Sequence, residues 1–323
     1  MKTLQHRTRS AAKRAFTLIE IMVATVIMVV LVGLVIQITS EVLKVWSRSS
    51  GKLAANAEAR IAIDLITQDL ETAVFRNNGQ QWLGVDGPEA LASGAPYDSN
   101  TVALKLFSPA LDRDKFEADG ITAIPGDICA VAYRLEYQAS YDQSGVTDPV
   151  KVYALYRAIA RSDDTFNDLM GSSSQSSSPQ LILNDSSDDF WATSEIIKPQ
   201  NYLVSNIVDF KVFIYEDDPA VTVPVPINAD VNDPFVLDKD YVYGGTDATL
   251  TGAAGTTQLQ LLYADVMLTV VSDEGLELLQ NIADGRSGGE YVKTVDGLSP
   301  EEQVVQQHGE TFTRRVNFMA HPL

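Results

Sequence analysis

Residues 16–38, FTLIEIMVATVIMVVLVGLVIQI, hold a single charged side chain, Glu20, in 23 positions. Coiled as a helix at about 1.5 Å per residue, such a run crosses the roughly 30 Å hydrocarbon core of a bilayer. A cleavable secretory segment has a shorter apolar stretch, about 7–15 residues, and a small-x-small cleavage site after it. Here the chain continues instead as TSEVLKVWSRSS. The segment therefore reads as a retained transmembrane helix. Lys2, Arg7, Arg9, Lys13 and Arg14 precede it with no acid among them, a denser cluster than Lys44 and Arg48 beyond it. That asymmetry predicts a cytoplasmic N-terminus and a body on the far side of the membrane. Glu20 is the anomaly. A carboxylate inside the bilayer costs a few kcal/mol, so it must stay wet at the headgroups or meet a cation.

Charge narrows the function further. The five cations of the first fifteen residues, set against a net charge of −19, leave −24 on the remainder. An acidic body repels nucleic acid, whose binders need basic surface. With 323 residues, 45% hydrophobic and 21% charged, the chain is long and apolar enough for one large domain or two ordinary ones. The one cysteine, Cys129, cannot form an intramolecular disulfide, and its setting in GDICAVAYRLEY reads as core. The histidines are His6, His308 and His321. His308 precedes Gly309 and reads as a capping or solvent-facing residue, and His321 lies at the mobile end of the sequence. HExxH, GxSxG, GxGxxG, CxxC and P-loop patterns are all missing from the sequence, so no catalytic residues are assigned.

The stretch KRAFTLIEIMVA resembles the class III signal of type IV pilins and type II secretion pseudopilins. In that family a basic leader is cut just before a Phe, the new amine is methylated, and Glu stands fifth in the mature chain. Counted from Phe16, Glu20 is fifth, and Thr17, Leu18 and Ile19 also match. The residue before the cut is usually Gly; here it is Ala15. The resemblance implies cleavage between Ala15 and Phe16 by a prepilin peptidase and N-methylation at Phe16. It also implies an assembly role for Glu20, neutralising the terminal amine of an adjacent subunit. Two desolvated opposite charges would set the stagger between otherwise featureless apolar helices.

Beyond the span, one helix is expected over residues 16–75. Its apolar face is drawn through Trp46, Leu53, Ala57, Ile61, Leu65 and Val74, with Lys52, Glu58, Arg60, Asp64, Gln68 and Asp69 as polar positions. Residues 76–100 are rich in Gly, Asn and Pro and read as loop. Strand-like runs follow at TVALKLF, DICAVAYRLEYQ, KVYALYRAIA, YLVSNIVDFKVFIYE, LQLLYADVMLTVVSD and ETFTRRVNF. In the second run Val131, Tyr133, Leu135 and Tyr137 alternate with Ala130, Ala132, Arg134 and Glu136. That period predicts antiparallel strands with one solvated face. GSSSQSSSPQ and GGTDATLTGAAGTT read as mobile loops, and DPAVTVPVPINADVNDPF is too Pro-rich for a central strand. A short helix is expected after Ser299, with Pro300 at its first position, Glu302 completing a capping box and Gly309 as the stop.

The order of segments, with IVDFKVFIY, ADVMLTVV and TFTRRVNF, is similar to that of the J-type minor pseudopilins and to the Verru_Chthon cassette protein C group of pilin-like proteins. The expected fold is α+β, a long N-terminal transmembrane and amphipathic helix packed on antiparallel sheets. The expected organisation is a leader at 1–15, a membrane helix at 16–38, its periplasmic continuation at 39–75 and a β-rich periplasmic domain at 76–323. What the resemblance implies is a non-enzymatic subunit near the tip of a type II secretion pseudopilus, anchored first in the bacterial inner membrane. Its implied partners are other pseudopilins or pilins, a prepilin peptidase and an inner-membrane assembly platform. Some members are stabilised by calcium, which makes Asp185, Asp188, Asp189, Asp217 and Asp218 candidate ligands; the plainer reading is solvated loop charge. DRDKFEADG, with Asp112, Asp114 and Asp119, lacks the residues an EF-hand loop needs. Two other readings stay open: a minor pilin of a type IV pilus, and a membrane-anchored periplasmic binding module or enzyme.

Overall fold

The computed structural model describes residues 17–75, 81–91, 94–109, 114–116, 123–125, 128–139, 151–162, 165, 169, 190–218, 223–244, 259–286, 293–295 and 297–318. The leader, the Ala15–Phe16 bond, the loops at 171–180 and 245–257, His6, His321 and the calcium candidates Asp185, Asp188 and Asp189 lie outside these residues.

Helix α1, Leu18–Glu71, runs unbroken for 54 residues. The chain divides into two compact units between Ser50 and Gly51, and α1 passes through the division. In the first unit every residue from 17 to 46 is exposed. In the second, Ala55, Ala59, Ala62, Ile63, Ile66 and Leu70 form the buried seam. This corrects the face drawn from the sequence. Leu53 and Ile61 are 68% and 56% exposed, Ala57 is exposed, and Leu65 and Val74 are only half-buried. The seam follows small side chains, which let the helix backbone approach the sheets closely, rather than the largest apolar ones. Asp69, expected on the polar side, is buried on the seam.

The strands are β1 Gln81–Glu89, β2 Thr101–Ser108, β3 Asp114–Phe116, β4 Ala123–Pro125, β5 Cys129–Ala139, β6 Lys151–Ile159, β7 Tyr202–Ser205, β8 Ile207–Glu216, β9 Tyr241–Gly244, β10 Leu261–Val271 and β11 Gly309–Asn317. Six of them form one antiparallel sheet in the order β7-β6-β5-β2-β1-β9, three form another in the order β11-β10-β8, and β3 pairs with β4. The α+β expectation therefore holds: a long apolar helix with antiparallel sheets. Strand β1 corrects the loop reading of its segment. Its Gly and Pro content marks a register shift between Asp86 and Glu89 rather than the end of pairing. A Cβ at Gly87 would meet the Thr101 carbonyl and Val102 Cγ1 at 2.9 Å, so the close approach of β2 requires glycine there.

Register places Val131, Tyr133 and Leu135 of β5 beside Leu106 and Leu104 of β2 and Leu155 of β6 on one face of the larger sheet. The opposite face, expected to be solvated, is covered. Ala130, Ala132 and Glu136 are buried there, and Trp191 packs edge-on against Phe107, which in turn meets Trp82. The short helix α2, Thr193–Ile196, adds the buried Ile196 to this cover. The charged residues of that face survive burial by pairing: Lys105 Nζ lies 2.6 Å from Asp86, and Arg134 pairs with Glu89 and lies 3.6 Å from Glu136. Burial nonetheless pushes the Asp86 and Glu89 carboxyls above their ordinary range. Cys129 is buried, as read, and is in no disulfide.

The run YLVSNIVDFKVFIYE forms two strands, not one. Asn206 interrupts it at φ 64°, a left-handed conformation that Asn tolerates better than most residues. Its backbone N–H donates to the Tyr153 carbonyl of the larger sheet, and its own carbonyl accepts from Val271 N of the smaller one, both at 2.9 Å. The chain thereby changes sheets in one residue. The open edge of β8 is closed by side chains: Ser99 and Thr101 donate to the carbonyls of Val208 and Phe210, and buried Asn228 bonds both Val212 O and Ile214 N.

Helix α3, Asp273–Ala283, was not foreseen; it starts on a Ser272 cap that accepts from Gly275 N. Helix α4, Pro300–His308, starts on the expected capping box of Ser299 and Glu302. Its stop, Gly309, has an extended φ of −95°, so steric room is the reason for glycine: a Cβ would lie 2.4 Å from the Val305 carbonyl.

Candidate functional site: the N-terminal segment and the seat of its helix

Thr17 is the first described residue and caps α1. Its carbonyl accepts from Glu20 N at 3.1 Å and Ile21 N at 3.3 Å, and its hydroxyl accepts from Glu20 N at 3.3 Å. This is one half of a capping box, with Glu20 at the third helical position. Among the described residues no hydrogen bond or ion pair uses the Glu20 carboxylate. The acid therefore stands in the first turn, where the exposed N–H groups favour negative charge, with its oxygens available. From Ile21 to Ile36 the helix is apolar and exposed on every side. Among the described residues it is the one helix long and apolar enough to cross a membrane. A helix without a polar stripe has no preferred soluble face. Lipid or a bundle of similar helices satisfies it.

The second unit seats its part of α1 through polar contacts that the sequence reading missed. Arg157 of β6 donates from Nε and Nη2 to the two oxygens of Asp69 at 2.9 and 3.1 Å, and Tyr133 of β5 donates to Asp69 Oδ2 at 2.5 Å. Burial first, and then the Asp69 charge, hold the Tyr133 phenol well above its ordinary pKa. Thr72 bonds Ser108 of β2 at 2.8 Å, and Val74 N donates to the Phe107 carbonyl. On the other flank Asn56 donates to Glu310 of β11 at 2.8 Å, Arg60 lies over Phe312, and Asp64 pairs with Arg314. The missed signal is spacing: drawn through Ala55, Ala59, Ala62 and Ile66, the seam passes through Asp69 and Leu70.

Of the calcium candidates, Asp217 and Asp218 are described. Asp217 is exposed, its N–H bonded to the Gln260 carbonyl, and the neighbouring Glu216 is turned away to accept from Tyr241 Oη at 2.5 Å. Burial raises the Glu216 pKa. Among the described residues no group of three or more His, Cys, Asp or Glu is placed to hold a metal ion. His308 is half-buried at the end of α4. A Cβ at Gly275 would lie 2.7 Å from His308 Cβ, so glycine at that position lets α3 pass close to it.

The described residues thus join an apolar helix, with a carboxylate in its first turn, to antiparallel sheets. A model of the prokaryotic N-terminal methylation motif matches residues 10–36, a stretch that includes Phe16, Glu20 and most of the apolar run. No curated protein matches the chain. Among solved structures, a type IV-like pilin from Thermus thermophilus is similar at 10% identity with a TM-score of 0.33, over 81% of this chain and 95% of that one.

Proposed function

We propose that the chain is a minor pseudopilin of the J type, built into the tip region of a type II secretion pseudopilus, with a non-enzymatic role. The observation that carries this reading is the methylation motif over residues 10–36, joined to a helix start where, among the described residues, nothing bonds the Glu20 carboxylate. Prepilin peptidase removes residues 1–15, Phe16 is methylated, and the exposed apolar half of α1 holds the subunit in the inner membrane. The body lies in the periplasm. On extraction by the assembly platform, that half of α1 enters the filament, and Glu20 pairs with a neighbouring subunit's terminal amine. In that apolar core the attraction between the two charges is large, and it must offset the cost of taking both out of water. Asp217 and Asp218 act in this reading as solvated loop charge, and a calcium site is proposed only at the loop carrying Asp185, Asp188 and Asp189. For the J assignment, the supporting observation is that IVDFKVFIY, ADVMLTVV and TFTRRVNF fall on β8, β10 and β11 of one sheet.

Mass spectrometry of the mature N-terminus tests processing: N-methyl-Phe16 is expected, and an intact Met1 overturns the reading. Glu20→Ala is expected to insert in membranes like wild type and to be lost from sheared filaments; wild-type incorporation would remove the pairing role. Co-purification with I-, K- or H-type pseudopilins separates the secretion pseudopilus from a type IV pilus, which shares the same N-terminus.

A further inference from the structure

Outside α1, the described residues include seven large hydrophobic side chains that are exposed, and five of them are Val223, Val225, Val231, Phe235 and Val236. They lie within one Pro-rich segment between β8 and β9. Val231 is 96% exposed and Phe235 70%. Scattered exposed apolar residues need no explanation, but a concentration on one short segment does.

The segment is pinned at its base and braced within. Asn228, Ala229 and Leu237 are buried, and Asn228 is bonded into the edge of β8. Ala229 and Leu237 face each other as an antiparallel bridge, Asp230 N donates to the Val236 carbonyl at 2.8 Å, and Asp238 N donates to the Asn228 carbonyl at 3.0 Å. At the tip, Asp230 Oδ1 accepts from Asn232 N and Asp233 N, and Asp233 Oδ1 accepts from Phe235 N. Pro224, Pro226 and Pro234 restrict the backbone further. Val231 and Phe235 are thus held outward on a preorganised hairpin, which lowers the ordering cost of docking.

We infer that this hairpin tip is a docking knob for a protein partner that offers an apolar socket rimmed by Lys and Arg. The rim follows from charge. Asp217, Asp218, Asp230, Asp233, Asp238 and Asp240 surround the apolar residues in sequence, against Lys239 alone. The same acids repel an anionic lipid surface. They also repel a second copy, whose sequence beyond residue 15 carries −24. An exposed aromatic on a rigid support is the residue type that dominates interface energy. The inference stands independently of the assembly reading above.

The test places the photoreactive amino acid p-benzoylphenylalanine at position 231 of the full chain in its native host, with the crosslinked peptide mapped by mass spectrometry. The expected result is a protein adduct at apolar residues flanked by Lys or Arg. Its yield should fall at least about tenfold in Phe235→Asp and severalfold in Asp238→Lys. Both variants change exposed side chains, and an unchanged melting temperature shows that the body still folds. Four outcomes overturn the inference: no adduct, an adduct to lipid alone, an adduct to another copy of this chain, or a protein adduct without nearby cations. Insensitivity to both substitutions does the same. Flotation of the purified body-exposed protein with phosphatidylethanolamine–phosphatidylglycerol vesicles, compared between wild type and Phe235→Asp, reads the lipid outcome separately; a difference between them counts against the knob.

Discussion

Ile27 and Ile66 are the same side chain on one continuous helix, yet Ile27 is 54% exposed and Ile66 is fully buried. Around Ile27 every neighbour is apolar, so no side of the helix is singled out. Around Ile66 the pattern is narrow: alanines and a few larger residues along one seam, with Asn56, Arg60 and Asp64 on its flank reaching for β11. The first half of α1 is suited to any apolar surrounding. The second fits one seat. Hydrophobicity alone decides neither case; what differs is whether polar and small residues mark out a unique face.

The largest break in this contrast is expected at Asp69. Asp69→Ala leaves the Arg157 guanidinium buried without its carboxylate and should cost about 3–5 kcal/mol in urea unfolding of the detergent-solubilised chain. A loss below about 1 kcal/mol would mean the seat does not depend on the pair. Next in size, Ile66→Ala should cost about 2–5 kcal/mol, whereas Ile61→Ala, on the exposed side, should change stability by less than about 0.5 kcal/mol. Comparable losses at both positions would put the buried face elsewhere. Smaller again, Ala62→Leu forces two extra branches into the tight seam and should cost about 1–3 kcal/mol, while Val30→Leu in the first half should leave body unfolding unchanged.

The smallest effect concerns pH. Burial raises the Asp209 pKa on β8 above its ordinary value, with Lys211, 2.8 Å away, opposing the rise. A raised carboxyl binds its proton more readily folded than unfolded, so its contribution to stability grows as pH falls from neutral into the carboxylate range. Melting temperatures of wild type and Asp209→Asn should therefore diverge in favour of wild type as pH is lowered from neutral. Parallel curves would show that Asp209 titrates alike in both states.

The long helix, six strand runs and the capping box at Ser299 were legible because each is a local pattern: an apolar run, a period of two, a four-residue motif. The elements that escaped depend on partners distant in sequence. Gly87 looks like a loop residue until β2 is brought against it, and Arg134 and Glu136 look solvated until Arg134 pairs with Glu89 and Glu136 is buried beside it. The buried side of α1 was misdrawn for a related reason, since large apolar side chains were taken to mark it and alanines were not. At the N-terminus, Glu20 stood out at once, because a lone acid in an apolar run needs nothing else for contrast. Its half-made cap with Thr17 did not, since the hydrogen bond reads equally well as an ordinary helix start.

The contacts between α1 and β11 join residues 254 and 250 positions apart, Asn56 to Glu310 and Asp64 to Arg314. A ribosome makes Glu310 and Arg314 long after Asn56 and Asp64. Contacts this remote form late, after the intervening chain has paid the entropy of closing a very long loop. Residues 51–71 must then wait, without β11, until that strand has been made. A chain truncated before residue 309 should keep the apolar start of its helix intact and yet never finish the domain behind it. The seat thus depends on β11: only a chain that includes this strand can hold residues 51–71 on both flanks.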